Sequence, residues 1–322
     1  MHDAPMLAPA GADPAILAEV REGLSRSPKE ISPKYFYDHR GSELFEEITR
    51  LPEYYLTRAE RSILLEWMPV LIPVLGTCTV VELGAGSGEK ARIILDALRT
   101  IPGRDGTYVP IDVSASFLAE TASRFRSAYP GLRVVPSVAD ITAELRLPRN
   151  LDGPRLFAFL GSTIGNFERP EATRLLERIR RAMRSDDRFL MGVDLRKDVA
   201  TIEAAYNDSQ GVTAEFNRNM LRVLNAELGA DFEPSAFEHL AFYDRKLHRI
   251  EMHLVSCRDQ VVNIPGVGTI HLMRGEAIRT EISCKYDLAG VESLFHAAGL
   301  EVESWRTDAD HRFALVVGRP AA

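Results

Sequence analysis

The run Val80-Val81-Glu82-Leu83-Gly84-Ala85-Gly86-Ser87-Gly88-Glu89-Lys90 limits the fold more than any other stretch of the chain. β-Branched residues lead into glycines at alternate positions, and Ala91, Ile94, Leu95 and Leu98 follow at helical spacing. Strand, tight turn and helix in that order open a nucleotide-binding α/β sheet. Glycine lets the turn take left-handed dihedrals and bring its backbone close to a ligand. The ligand class narrows by exclusion. A dinucleotide fingerprint needs a glycine three residues after Gly86, where Glu89 stands. A phosphate loop needs Gly-Lys followed by Ser or Thr, whereas Glu89 separates Gly88 from Lys90 and Ala91 follows the lysine.

Gly-x-Gly-x-Gly behind a strand carrying Glu82 resembles motif I of the S-adenosylmethionine-dependent methyltransferases. At this point the alternative is a glycine turn that merely joins a strand to a helix. The pattern then repeats. Tyr108–Ser114, Leu132–Ile141, the apolar run Arg155–Leu160 and Arg188–Asp194 read as strands, with a helix opening near Ser114 and another over Glu171–Met183. From Arg196 to about Cys284 the alternation stops. Asp198–Tyr206 and Ala214–Leu228 read as helices, and Phe242–Val255 and Gly268–Ser283 as strands around the Gly266-Val267-Gly268 turn. The tail resumes with a helix over Leu288–Ala298, stopped by Gly299, and strands over Leu300–Arg306 and Arg312–Val317. The link between these strands is too short for a parallel crossover, so the last pair is antiparallel. The expected fold is α/β: a Rossmann-like seven-stranded methyltransferase sheet with a terminal antiparallel hairpin, plus a second α+β substrate-binding domain.

The expected boundaries are 60–195 with 285–322 for the methyltransferase domain, 14–59 with 196–284 for the second domain, and a disordered tail over 1–13. Before the glycine run, Pro14–Leu24 reads as a helix. Tyr35, Phe36, Tyr37 and Phe45 surround a turn at Gly41, with a helix from there through Ile48. Another helix starts over Arg61–Met68, and Pro69, Pro73 and Gly76 interrupt the apolar stretch Trp67–Val81, which is too short and too broken to span a membrane. A net charge of −7 argues against a general nucleic-acid or anionic-membrane binder. Cys78, Cys257 and Cys284 are few and far apart, which suits reduced thiols in a cytoplasmic protein. No signal peptide and no metal-ligand spacing is visible, and nothing demands a dimer, so a cytoplasmic monomer without metal is expected.

Some residues carry candidate chemistry on position alone. Asp112 lies 24 residues after Gly88, where a carboxylate accepts both ribose hydroxyls. Its alternative is a helix N-cap, a task Ser114 could take instead. Asp140 could accept the amino group of adenine, with Ile141 against the base; its alternative is a cap or solvated turn. Gly161-Ser162-Thr163-Ile164-Gly165-Asn166 follows a central strand, where open α/β sheets place ligands. The tyrosines of the N-terminal segment suit either a core or a pocket gripping a small polar ligand.

The stretches YFYDHRGSELFEEIT, LPEYYLTR, VELGAGSGEK, PIDVS, FLGSTIGNF and RTEISCKY, in that order, resemble the histidine-specific Nα-methyltransferases. The resemblance runs from about Lys34 to Val317. That family makes hercynine, the trimethyl betaine of histidine, in the first step of ergothioneine biosynthesis. The resemblance implies S-adenosylmethionine as methyl donor, with Gly84, Lys90, Asp112, Asp140 and Ile141 at its positions and Tyr37 and Phe45 at the lid over them. It implies L-histidine as the small-molecule substrate, with Tyr54, Gly161, Asn166, Tyr206, Met252, Glu281 and Ser283 at its positions, and Tyr54 as the catalytic residue, with Tyr55 the alternative register. Glu281 and Ser283 alternate along a strand and so share a face, where a carboxylate and a hydroxyl can grip an imidazole. Without the resemblance, Glu281 would read as a surface residue beside Arg279. Leu56 and Ala91 depart from the family pattern, which has proline and threonine there; neither position holds an assigned group. Competing readings keep the reaction but change the acceptor, to tryptophan or a small amine, or drop catalysis for a non-catalytic S-adenosylmethionine-binding protein.

Overall fold

The glycine run does form a strand, a turn and a helix, and a sheet is built around it. The computed structural model describes residues 13–103 and 105–321. The expected tail over 1–13 therefore lies outside the described residues except for Asp13, whose carboxylate caps α1 (Pro14–Ser25) by accepting from the Ala15 N–H at 2.8 Å. After β1 (Lys29–Glu30) comes α2 (His39–Ile48). Gly41 is a correction: it sits inside α2 rather than in a turn before it. A Cβ there would fall 1.7 Å from the Phe36 carbonyl oxygen, so glycine serves close approach, and Asp38 caps the helix through the Gly41 N–H.

Contacts divide the chain into two units. One holds the described residues up to Tyr55 together with Lys197–Ser283; the other holds Leu56–Arg196 with Cys284–Ala322. The second unit opens on α3 (Leu56–Leu75), a continuous helix containing Pro69 and Pro73. The helix expected to start over Arg61–Met68 begins earlier, at Leu56, and runs on through both prolines. Both lie on the exposed side, where water can satisfy the carbonyls they release, while Ile63, Leu64, Met68, Leu71 and Ile72 bury the other side.

The sheet of this unit then follows: β2 (Thr79–Leu83), α4 (Glu89–Arg99), β3 (Thr107–Asp112), α5 (Ala115–Ala128), β4 (Arg133–Val134), β5 (Ser137–Val138), β6 (Arg155–Phe159), α6 (Arg169–Ala182) and β7 (Arg188–Asp194). The continuous third strand expected over Leu132–Ile141 is instead two short pieces, β4 and β5, that pair with β3 one after the other. Pro136 has no N–H to give the ladder and lies between them. Together they occupy one of seven positions in the sheet.

The chain next builds the rest of the first unit: α7 (Val199–Ala204), α8 (Val212–Leu228), β8 (Phe237–Asp244), β9 (Arg249–Ser256), β10 (Gln260–Ile264), β11 (Gly268–Leu272) and β12 (Ala277–Cys284). Two expected strands are corrected to four. Phe242–Val255 is divided between the antiparallel pair β8 and β9, because Asp244 accepts from the Lys246 and Leu247 N–H groups and turns the chain. Gly268–Ser283 is divided between β11 and β12, and the Gly266 turn joins β10 to β11. The larger sheet of this unit has the order β1-β12-β9-β8.

The last elements, α9 (Leu288–Ala297), β13 (Leu300–Thr307) and β14 (Phe313–Pro320), return to the second unit. Its sheet runs β13-β14-β7-β6-β2-β3-β4, with β5 beside β3. β14 is antiparallel to both β7 and β13, while β7, β6, β2, β3 and the β4/β5 position are parallel. This is the expected methyltransferase form of the Rossmann architecture with its closing hairpin. Val81, Val109, Phe157, Phe189 and Val316 supply one buried face, and α6 and α9 cover it with Leu175, Leu176, Leu294 and Phe295. At the end where β6 and β7 begin, Asp187 is fully buried and accepts from the Arg155 guanidinium, the Arg155 N–H and the Arg184 N–H. Removing one partner of a buried pair strands the other charge, so Asp187→Ala is expected to lose about 3–5 kcal/mol of stability. Chemical denaturation measures this directly, and a loss below about 1 kcal/mol would show that the pair contributes no more than a surface ion pair.

Candidate active site

The carboxyl ends of β2, β3 and β6 gather the candidate residues of the second unit. Gly84 and Gly86 have φ of +66° and +49°, and no atom lies within 4 Å of where their Cβ atoms would be. The backbone there is bare on the side a ligand would approach. Gly88 differs: its φ is +68°, and a Cβ would fall 2.6 Å from the Phe125 ring, so its missing side chain serves packing. Helix α5 steadies the loop, since Thr121 Oγ1 donates to the Gly86 carbonyl at 3.0 Å and Arg124 to that of Ser87 at 2.5 Å.

Asp112 ends β3 facing this loop. Its carboxylate accepts from the Gly86 N–H and the Ser114 N–H, both at 3.0 Å. Ser114 is the N-cap of α5, its Oγ accepting from the Phe117 N–H. The capping alternative for Asp112 is therefore taken by Ser114. Asp140 is exposed and lies in a turn just beyond β5, where its Oδ1 accepts from the N–H and hydroxyl of Thr142 at 2.7 and 2.6 Å. Ile141 is half-buried against the core beneath the sheet.

Lys90, in the first turn of α4, meets a residue absent from the sequence reading. Its Nζ lies 2.5 Å from Oε2 of Glu60, a side chain on α3 with no solvent exposure. The other oxygen of Glu60 accepts from the Gly161 N–H at 2.7 Å. The structure thus brings Lys90 and Gly161 together through one buried carboxylate. Glu60 left a trace in the sequence: it stands in the apolar stripe of Leu56, Ala59, Ile63 and Leu64, at a position facing inward. Gly161 has φ +83° and the next residue, Ser162, +58°, so two left-handed residues swing the chain off β6. Ser162 is held by its hydroxyl, which accepts from the Asp194 N–H at 2.8 Å, and the Asp194 carboxylate pairs with fully buried Lys285 at 2.8 Å. Half-buried Asn166 closes the short 3₁₀ turn Thr163–Asn166 that follows.

The first unit gathers a different set. Tyr37 and Phe45 meet edge to face at 5.9 Å, Phe45 reaches Tyr54 at 6.4 Å, and Tyr54 reaches Tyr206 at 6.4 Å. Phe216, on α8, supports the row from beneath, 5.9 Å from Tyr37 and 6.0 Å from Phe45. Tyr37 is 47% exposed whereas Tyr54 and Tyr206 are buried, so the row grades from open to closed. Tyr54, rather than Tyr55, stands in it; the Tyr55 hydroxyl accepts from Lys197 Nζ at 2.7 Å. The Tyr206 hydroxyl donates to Ser283 Oγ at 2.8 Å, joining two of the candidate residues directly. His239 backs Tyr206 from β8: it accepts from Asn217 on Nδ1 and donates from Nε2 to the Tyr206 carbonyl at 2.8 Å. Burial lowers the pKa of His239, which keeps the ring neutral in that role. Met252 is buried on β9, and Glu281 is half-buried on β12 two residues before Ser283. Arg279 pairs with Glu30 at 2.6 Å and lies 3.9 Å from Glu251.

Among the described residues, no cluster of His, Cys, Asp and Glu could hold a metal ion, and no helix is long and apolar enough to cross a membrane.

Three comparisons bear on this arrangement. Residues 16–320 match the model of the family described as "Histidine-specific methyltransferase, SAM-dependent". The chain is 43% identical over 303 residues to a histidine N-alpha-methyltransferase of Mycobacterium tuberculosis, covering 94% of each. It is 40% identical over 311 residues to one of Mycolicibacterium smegmatis, covering 96% of each. Among solved structures, an S-adenosylmethionine-dependent methyltransferase from Clostridium acetobutylicum superposes with a TM-score of 0.50 at 11% identity, over 87% of this chain and 99% of that one, a likeness of fold alone.

Beneath the glycine loop, Tyr108 donates a short hydrogen bond to the fully buried Glu82 carboxyl. Burial raises the pKa of Glu82 to about 8, outweighing the stabilisation of its ionised form by Tyr108 and Lys90. The folded protein therefore holds a proton on Glu82 that the unfolded chain releases near the ordinary glutamate value of 4.5. Its contribution to stability is full below that value and is lost as the pH rises toward 8. Glu82→Gln is expected to flatten the stability profile across this window, removing a slope of at most about 1.4 kcal/mol per pH unit. Denaturation at several pH values tests it; identical slopes in both proteins would place no such proton on Glu82.

Proposed function

The chain belongs to the family of histidine-specific, S-adenosylmethionine-dependent methyltransferases, and on that premise we propose that it trimethylates the α-amino group of L-histidine to give hercynine, the first step of ergothioneine biosynthesis. The observation that carries this reading is the reach of the family match, residues 16–320, which takes in the glycine loop of one unit and the aromatic row and Glu281–Ser283 strand of the other.

In this reading the second unit takes the methyl donor. The bare backbone at Gly84 and Gly86 fits a ligand lying flat against the loop. Asp112 accepts the ribose hydroxyls, exchanging its contacts with the loop N–H groups for them. Asp140 accepts the adenine amino group on the oxygen not committed to Thr142, and Ile141 lies against the base. Lys90 faces the donor's carboxylate, and Tyr37 and Phe45 form the lid. The bound donor supplies an already activated methyl group on a sulfonium, so the protein's main task is to place the acceptor in line.

The resemblance assigns Gly161 and Asn166 of the second unit to the acceptor, Asn166 as a neutral donor for its carboxylate. In the first unit it assigns Glu281, which accepts from one imidazole N–H, Ser283, which serves the other nitrogen, Met252, and Tyr206, which can donate to the carboxylate only by giving up its bond to Ser283. The attacking nitrogen must present a lone pair, so a proton leaves before each transfer. Tyr54 orients the amine through water, and the proton leaves along that water to solvent. An ordinary tyrosine is protonated near neutrality, so positioning is the larger part of its role. We place the enzyme in the cytoplasm as a monomer needing no metal.

The deciding experiment mixes the purified protein with S-adenosylmethionine and each of the twenty amino acids separately and reads product masses. Three added methyl groups on histidine alone are expected. Methylation of tryptophan or another amino acid instead would overturn the substrate assignment while leaving the reaction class intact. Glu281→Ala is expected to raise the histidine KM about 10- to 150-fold, the span of a hydrogen bond to a charged group, and to leave cofactor affinity nearly unchanged. Wild-type histidine kinetics in that variant would remove Glu281 from the pocket.

A further inference from the structure

Glu60 has no solvent exposure, yet it is the point at which two assigned groups meet. Its Oε2 lies 2.5 Å from Lys90 Nζ on the helix that follows the glycine loop. Its Oε1 accepts from the Gly161 N–H at 2.7 Å, where the chain leaves β6. The fit is close on every side. A Cβ on Gly161 would fall 2.9 Å from Lys90 Nζ, and one on Gly192 of β7 would fall 2.2 Å from Glu60 Oε1. Burying a carboxylate is unfavourable unless its charge is met; here one oxygen accepts from the Gly161 N–H, and the other makes no hydrogen bond but lies in ion-pair contact with the Lys90 ammonium. Lys90 is 29% exposed at its side chain, so it could be solvated by water alone; the pairing restricts an otherwise flexible ammonium to one place.

We propose that Glu60 is a positioning residue of the transfer site: its buried carboxylate sets the Lys90 ammonium and the Gly161 peptide N–H in fixed relation, and so aligns the donor's grip with the loop that holds the acceptor. This rests on the functional reading above, which gives Lys90 to the methyl donor and Gly161 to histidine. Glu60 touches neither molecule. It acts by removing freedom from groups that do, so its effect is on affinity and alignment rather than on proton transfer.

Two substitutions separate its two hands. Glu60→Gln keeps the volume and a carbonyl oxygen for the Gly161 N–H but withdraws the charge from Lys90. Gly192→Ala keeps the charge but pushes a methyl group against Oε1, the oxygen that holds Gly161. Each protein is first shown to melt cooperatively. Calorimetry then gives the affinity for S-adenosylhomocysteine, and steady-state kinetics at saturating donor give KM and kcat for histidine.

Glu60→Gln is expected to weaken S-adenosylhomocysteine at least about tenfold, as for the loss of a charge-assisted contact. Gly192→Ala is expected to raise the histidine KM by a larger factor than it changes that affinity. A lower melting temperature with wild-type affinity, KM and kcat in both variants would make Glu60 a packing residue only and overturn the proposal. If Glu60→Gln does not fold, Gly192→Ala decides alone by the same split. The affinity for S-adenosylhomocysteine is measured without any acceptor. A wild-type protein that binds it but leaves histidine unmethylated would sink the functional reading, while the Glu60→Gln affinity would still judge the hold on Lys90.

Discussion

Charge that must be buried, and therefore must be paired, governs the second unit. Its parallel strands are covered on both faces, so a carboxylate placed within them has no access to water. Glu60, Asp187 and Asp194 are each fully buried, and each is met by a cation: Lys90, Arg155 and Lys285. In low dielectric a charge left alone is far more unfavourable than a matched pair is favourable, so these contacts act as constraints on geometry more than as sources of stability. Where they fall decides what they constrain. Asp187 ties together the ends at which β6 and β7 begin. Glu60 and Asp194 lie at the opposite ends, where ligands bind in open α/β sheets; the Glu60 carboxylate holds the loop leaving β6 through the Gly161 N–H, while the backbone N–H of Asp194 donates to the Ser162 hydroxyl. The left-handed backbone at Gly161 and Ser162 persists because it is held from both sides.

The glycine loop shows the same economy of space. Three glycines share positive φ, but only Gly84 and Gly86 leave open space in front of the backbone, whereas Gly88 lies against Phe125 and Tyr108. Two of the three thus leave the backbone bare on the open side of the loop, and the third lets the loop pack onto α5. Beneath them, the Glu82–Tyr108 pair supplies a neutral polar floor, because burial keeps the Glu82 proton in place at neutral pH. In the first unit the organising contact is aromatic. A row of rings leads from exposed Tyr37 to buried Tyr206, whose hydroxyl is already bonded to Ser283 and whose main chain is backed by neutral His239.

Much of this was legible beforehand, for reasons tied to local pattern. The β2 turn and α4, the apolar strands β6 and β7 and the antiparallel closing hairpin follow from periodicity, glycine placement and the length of a connection, all short-range properties of the chain. The errors were also local in origin. The helix read from Arg61 starts at Leu56 and continues past Pro69 and Pro73, because both sit on its wet face. Gly41 was expected to make a turn, yet it lets α2 approach the Phe36 carbonyl. Pro136 divides one expected strand, and Asp244 folds another into a hairpin.

By itself the sequence determined the class of sheet, the glycine loop after β2, the acid at the tip of β3 and, through ordered motifs spread along the chain, the family. Those depend on neighbours in sequence, where residue type and spacing act directly. Only the tertiary structure decided that Ser114 rather than Asp112 caps α5, that Asp140 gives one oxygen to its own turn, and that Tyr54 rather than Tyr55 joins the ring row. It alone joined Lys90 to Gly161 through Glu60. Those residues lie on α3, on α4 and beyond β6, and the carboxylate that unites them looks in sequence like any acid on a helix. Pairing across such distances is enforced by burial, and burial is a property of the folded chain.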